Sequence, residues 1–122
     1  MQKIETSHAP GAIGPYSQGF IVNGFVYTSG QIPVDPATGN IPVGITAQAE
    51  QSCRNVSAVL TAAGSDLTKV VKTTCFLADM ADFAAFNQVY AKFFSNCPAR
   101  SCVAVRELPK QVLCEIEAIA ER

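Results

Sequence analysis

The spacing of apolar residues changes several times along the chain, and each change marks an element. Residues 2–6 read as a short strand, followed by a loop held open by Gly and Pro, Ala9-Pro10-Gly11-Ala12-Ile13-Gly14-Pro15, that delivers Tyr16. Residues 17–22 and 25–29 flank Asn23-Gly24. That dipeptide supplies the positive φ a tight type I′ turn requires, so the two runs predict a hairpin. Residues 33–44, rich in Pro, Gly, Asp and Asn, predict an ordered loop. From Thr46 the period becomes helical: Ile45, Ala49, Cys53, Val56, Leu60 and Ala63 share a face, Gln48, Glu50, Gln51, Arg54 and Asn55 face largely away, and Gly64 is the stop. Residues 69–78 read as a strand. Asp79 or Asp82 then caps a second helix with an apolar stripe of Phe83, Phe86, Val89 or Tyr90, and Phe93, and Pro98 forbids its continuation.

The last two runs carry the candidate chemistry. In residues 98–105 alternation puts Arg100, Cys102 and Ala104 on one face and Ser101, Val103 and Val105 on the other. Leu108-Pro109-Lys110-Gln111 is a turn signal, and residues 112–120 alternate again. The pair predicts an antiparallel hairpin. With the turn centred on Pro109 and Lys110, Ala104 opposes Glu115 and Cys102 opposes Glu117, gathering Arg100, Cys102, Glu115 and Glu117 on one face. A guanidinium there needs an anion, which could belong to the protein or to a substrate.

The predicted order is βββαβαββ, an α+β domain over residues 1–122 with a mixed six-stranded sheet and two helices on one of its faces. The other face carries Thr73, Cys75 and Leu77 or their neighbours, too apolar to stay wet with no third helix to cover it. Oligomerisation is the expected cover. A net charge of −1 with nine scattered Lys and Arg leaves no cationic stripe, so neither nucleic acid nor an anionic membrane is an expected partner. Residues 1–6 have no apolar signal region and no run approaches a membrane span, which predicts a cytoplasmic protein. Five cysteines without paired spacing read as free thiols in a reducing compartment. One histidine and no C-x-x-C give no metal or other cofactor an expected site.

Five motifs, in order, carry a resemblance over essentially the whole chain: Ala12-Ile13-Gly14-Pro15-Tyr16-Ser17-Gln18-Gly19, Thr28-Ser29-Gly30-Gln31-Ile32-Pro33, Val71-Lys72-Thr73-Thr74, Pro98-Ala99-Arg100-Ser101-Cys102-Val103 and Glu115-Ile116-Glu117-Ala118. Together they resemble the RidA family, also called YjgF, of enamine/imine deaminases. The resemblance implies a chorismate-mutase-like fold and a homotrimer with sites between subunits. It also implies hydrolysis of 2-iminobutanoate and 2-iminopropanoate to the 2-oxo acid and ammonia. It carries substrate-carboxylate binding onto Arg100, further contacts, some through backbone, onto Cys102, Ser29 and Gly30, water orientation onto Glu115, and pocket lining onto Tyr16 and Asn87. Ser95-Asn96-Cys97 is a shorter connection than the family pattern, so the loop before Arg100 is tighter.

That chemistry suits the residues. A 2-imino acid offers a carboxylate beside an electrophilic C=N carbon, so Arg100 can anchor it while Glu115 aims a water. Each residue also has a plainer reading. Arg100 could pair with Glu115 or Glu117 as a structural ion pair, Cys102 could be a packed small hydrophobe with no base to activate it, and Tyr16 could be an ordinary packed aromatic. Asn87 within a helix suggests a local hydrogen bond or a pocket role, and His8 is assigned nothing. A non-catalytic sensor of 2-oxo or short carboxylic acids is the alternative function. An endoribonuclease, a label the family has also carried, fits poorly without a cationic face or a second histidine.

Overall fold

The computed structural model describes residues 1–122. Strands β1 (Gln2–Ile4), β2 (Gly19–Val22) and β3 (Phe25–Thr28) precede helix α1 (Ile45–Ala62); β4 (Val70–Leu77), α2 (Phe83–Phe93), β5 (Ala99–Ala104) and β6 (Cys114–Glu121) follow. The sheet order is β1-β2-β3-β6-β4-β5. Every neighbouring pair is antiparallel except β4 and β5, which run parallel. The mixed six-stranded sheet and the βββαβαββ order are as the periodicity predicts.

Local signals act as expected where they are local. Asn23 (φ 51°) and Gly24 (φ 79°) both take the left-handed region, joining Val22 to its partner Phe25. Gly64 (φ 80°) ends α1: its N–H donates to Thr61 O and the Ser65 N–H reaches back to Leu60 O, the paired bonds of a Schellman stop. The second helix ends at Phe93, well before Pro98, and Asp79 caps the preceding turn by accepting from the Ala81 N–H. The short connection after α2 is held by Asn96, whose amide donates to Thr68 O and Val70 O at 3.1 and 2.9 Å.

Two predictions change. The expected hairpin between residues 98–105 and 112–120 does not form, because β4 lies between the two strands. Running parallel to β4, β5 ends at the same edge of the sheet, and the chain carries past the end of β4 before descending as β6 on its other side. The second change concerns α1. Gln48 (7 % exposed) and Asn55 (1 %) do not face away but are buried. The amide of Asn55 donates to Ile32 O and Val34 O at 3.0 and 2.9 Å. The Gln48 amide donates to Pro42 O at 3.0 Å, and its carbonyl accepts from Leu113 N at 2.7 Å. These bonds satisfy the loop backbone that a helix packed against a sheet would otherwise strand without partners.

Both helices lie on one face. There Val26, Cys75, Leu77, Ile116 and Ala120 meet Val56, Val59, Leu60, Phe86 and Phe94 in one buried core. The buried set of β4 is thus Val70, Thr73, Cys75 and Leu77, while Thr74 and Phe76 look to the opposite face. On that face Phe25, Tyr27 and Val103 are 38, 43 and 46 % exposed. No helix is long and apolar enough to cross a membrane.

Candidate active site

The edge strand and α2 build one group of residues. The register Thr73↔Arg100 and Cys75↔Cys102 puts both side chains of β5 on the helix side of the sheet. There the guanidinium Nη1 of Arg100 donates to Asn87 Oδ1 at 2.8 Å. Its Cζ lies 4.7 Å from the Tyr90 ring centroid and 5.5 Å from that of Phe83. Phe83, Asn87 and Tyr90 stand four and then three residues apart, so one face of α2 forms the cradle. The two ion pairs in the structure, Lys3 with Glu5 and Arg54 with Glu50, both leave Arg100 out. Its charge faces an amide and two aromatic rings, and no carboxylate. Cys102, partly buried beside it, has its thiol pKa raised by burial, with Arg100 opposing the shift, so it is held neutral.

The loops and β6 build a second group on the opposite face. Glu115 pairs with Phe76 and Glu117 with Thr74, both pointing away from the helices. The expectation that Arg100, Cys102, Glu115 and Glu117 share one face is therefore corrected: the sheet separates the cation and thiol from the two acids. The cause is the intervening β4, since the predicted cluster depended on direct β5–β6 pairing. Glu115 instead meets the loop after β3. Gln31 and Ile116 exchange backbone bonds of 2.8 and 3.2 Å, which set Gly30 against the Glu115 side chain. A Cβ on Gly30 would lie 2.8 Å from Glu115 Cδ. Only a glycine leaves room for that carboxyl.

Tyr16, Ser29, Gly30, Ile32, Glu115 and Glu117 line a cleft of about 490 Å³. Ser29 is tied down through its N–H to Gln18 O at 2.9 Å and its hydroxyl to Ser17 O. Buried Gln18 also donates to Thr6 O and Pro10 O at 3.0 and 2.8 Å, fixing the loop that delivers Tyr16. Tyr16 itself is 51 % exposed at the cleft. Burial, and then the charge of Glu117, raise the pKa of Glu115 from its ordinary value. A carboxyl whose pKa is raised, in a cleft, is a candidate proton acceptor. No group of three or more His, Cys, Asp or Glu side chains is placed to hold a metal ion.

The residues singled out in the sequence thus fall into two groups: Arg100, Asn87 and Cys102 on the helix side, and Tyr16, Ser29, Gly30, Glu115 and Glu117 at the cleft. Sequence reasoning missed the roles of Phe83 and Tyr90 under Arg100, because both fit an apolar core stripe. It also missed Gln48, Asn55 and Gln18 as the loop fasteners. Their amide side chains, amid apolar neighbours at helical or strand spacing, were the available signal.

Residues 6–122 match the family model described as endoribonuclease L-PSP. The chain is 54 % identical to a RutC family protein of Haemophilus influenzae, covering 99 % of this chain and 97 % of that one. It is 52 % identical to the 2-iminobutanoate/2-iminopropanoate deaminase of Escherichia coli, covering 98 % of this chain and 96 % of the relative. Its fold superposes on the crystal structure of E. coli TdcF with bound serine with a TM-score of 0.97 at 51 % identity, over 100 % of this chain and 99 % of the other. With the family model matching nearly every residue and relatives at this identity over nearly full length, the chain belongs to the endoribonuclease L-PSP family, the RidA/YjgF family whose motifs its sequence carries.

Proposed function

We propose that this protein is an imine deaminase that hydrolyses 2-iminobutanoate and 2-iminopropanoate to the 2-oxo acids and ammonia. The observation that carries the reading is Arg100, a partly buried cation held by a neutral amide and aromatic rings with no acid of its own chain. Such a cation is matched to an anion from outside, and a substrate carboxylate fits its fork. The name and identity of the E. coli relative support the same activity.

In this reading Arg100 anchors the carboxylate, Asn87 steadies the guanidinium, and Glu115 accepts a proton from a water aimed at the C=N carbon. The new C–O bond forms as the C=N electron pair moves to nitrogen, which takes a proton. Collapse of the tetrahedral adduct then breaks the C–N bond, and ammonia leaves as the hydroxyl loses its proton. Tyr16 and Cys102 bound the pocket, and Ser29 and Gly30 offer backbone contacts to the substrate. Orientation and a placed base are the terms that lower the barrier.

The two groups of residues lie on opposite faces of one sheet, so a small substrate meets both only where the β5 edge of one copy abuts the open face of another. Such a head-to-tail contact forms a ring where its rotation closes. A homotrimer with three sites between subunits, covering the apolar open face, is the proposed assembly. The test generates a 2-imino acid in situ with an amino-acid oxidase and follows the imine trapped by semicarbazide. Wild type should accelerate its loss, and Arg100→Ala should abolish the acceleration. No acceleration by folded wild-type protein would leave the chain a carboxylate-binding module instead.

A further inference from the structure

The structure assigns Tyr90 as a positioning residue that holds the Arg100 guanidinium in the orientation a substrate carboxylate meets. This rests on the proposed role of Arg100. Tyr90 lies one turn beyond Asn87 on α2, under the guanidinium, with Arg100 Cζ 4.7 Å from its ring centroid. The electron-rich ring face attracts the cation and restricts its plane without neutralising it. A carboxylate in the same place would quench the charge, whereas a ring leaves it available to a ligand.

The ring is itself fixed. Its hydroxyl shares a 2.6 Å hydrogen bond with Thr73 Oγ1, from the β4 residue registered with Arg100. Phe94 stacks on it with centroids 4.4 Å apart, and Phe86 tilts against it at 5.9 Å. Tyr90 is 8 % exposed and Thr73 fully buried. The guanidinium thus has supports of two kinds: Asn87 fixes one nitrogen by a directed bond, and the rings bound its plane, Tyr90 at 4.7 Å nearer than Phe83 at 5.5 Å. Of five N–H donors, only the one given to Asn87 has a partner in the chain, leaving the rest for a bidentate ligand.

The test compares Tyr90→Phe and Tyr90→Leu in the intact protein by imine hydrolysis, thermal unfolding and NMR relaxation of the arginine Nε–H. Tyr90→Phe keeps the ring and loses only the Thr73 bond, so it should unfold at lower temperature with KM within about twofold of wild type. Tyr90→Leu removes the ring face. Its KM should rise roughly tenfold, the reach of a partly desolvated cation–π contact, with little change in kcat, because the carboxylate anchor acts equally in ground and transition states. The Arg100 Nε–H should become mobile in Tyr90→Leu alone. A purely structural ring would lower stability and leave KM and the Nε–H relaxation at wild-type values, which would overturn the assignment. So would an equal rise in KM for both variants. If wild type hydrolyses no imine, the proposed activity fails, and the relaxation of Nε–H decides the positioning role by itself.

Discussion

Replacing Gly30 by Ala tests whether the placement of Glu115 sets the rate. The added Cβ would lie 2.8 Å from Glu115 Cδ and 3.1 Å from Cγ, closer than non-bonded carbons approach, so the carboxyl must move outward. The backbone does not resist: Gly30 is absent from the positive-φ positions of the chain, and alanine is at ease there. Because the obstructed atoms end a flexible side chain, the loss in stability should stay within about 1 kcal/mol, and the reduced freedom of the unfolded chain offsets about 0.4–1 kcal/mol of it. Catalysis is less tolerant. A displacement of order 1 Å costs about 10²-fold in rate, so kcat should fall about a hundredfold while KM, set by Arg100, stays within about threefold. An outward-moved carboxyl also regains solvent, which lowers the pKa that burial raises. The acidic limb of the kcat profile should therefore move to lower pH. Imine trapping across pH, with urea denaturation as the stability control, supplies both numbers. Wild-type kcat and an unmoved limb in a folded Gly30→Ala protein would refute a rate-setting Glu115 beside Gly30.

Glu117→Gln removes the charge that assists burial in raising the Glu115 pKa, so the acidic limb of kcat/KM should shift to lower pH while the maximal rate holds. The stability sign is linked. With its pKa raised, native Glu115 holds a proton that the unfolded chain has released, so stability falls as pH rises through that pKa, and Glu117→Gln should flatten the fall in urea midpoint. Asn55→Ala strands the carbonyls of Ile32 and Val34 and should cost about 2 kcal/mol by urea unfolding, with looser hydrogen-exchange protection in residues 31–35.

Much of the candidate site is legible in the primary structure. The motifs around Arg100 and Glu115 are short and local, and each lands on the strand its periodicity predicts, while Ser29, expected to end the strand over 25–29, lies one residue past β3. The boundaries of both helices and the Asn23-Gly24 hairpin are equally local, because backbone dihedral preferences and side-chain periods act over a few residues. The amides of Gln48 and Asn55 escaped for a related reason. Polarity along a helix distinguishes faces by composition, and these two polar residues are buried to bond loop carbonyls that are distant in sequence.

Sequence alone determined the set of elements, the α+β class and which residues carry charge and thiol chemistry; the tertiary structure alone decided how the sheet distributes them. Leu108 to Gln111 is a sound turn signal, yet a turn signal does not say which strand waits beyond it. With β4 between β5 and β6, Arg100 turns toward α2, and Glu115 turns toward the loop at Gly30. Strand pairing is chosen by the burial of whole faces against α1 and α2, a long-range balance that no local period encodes.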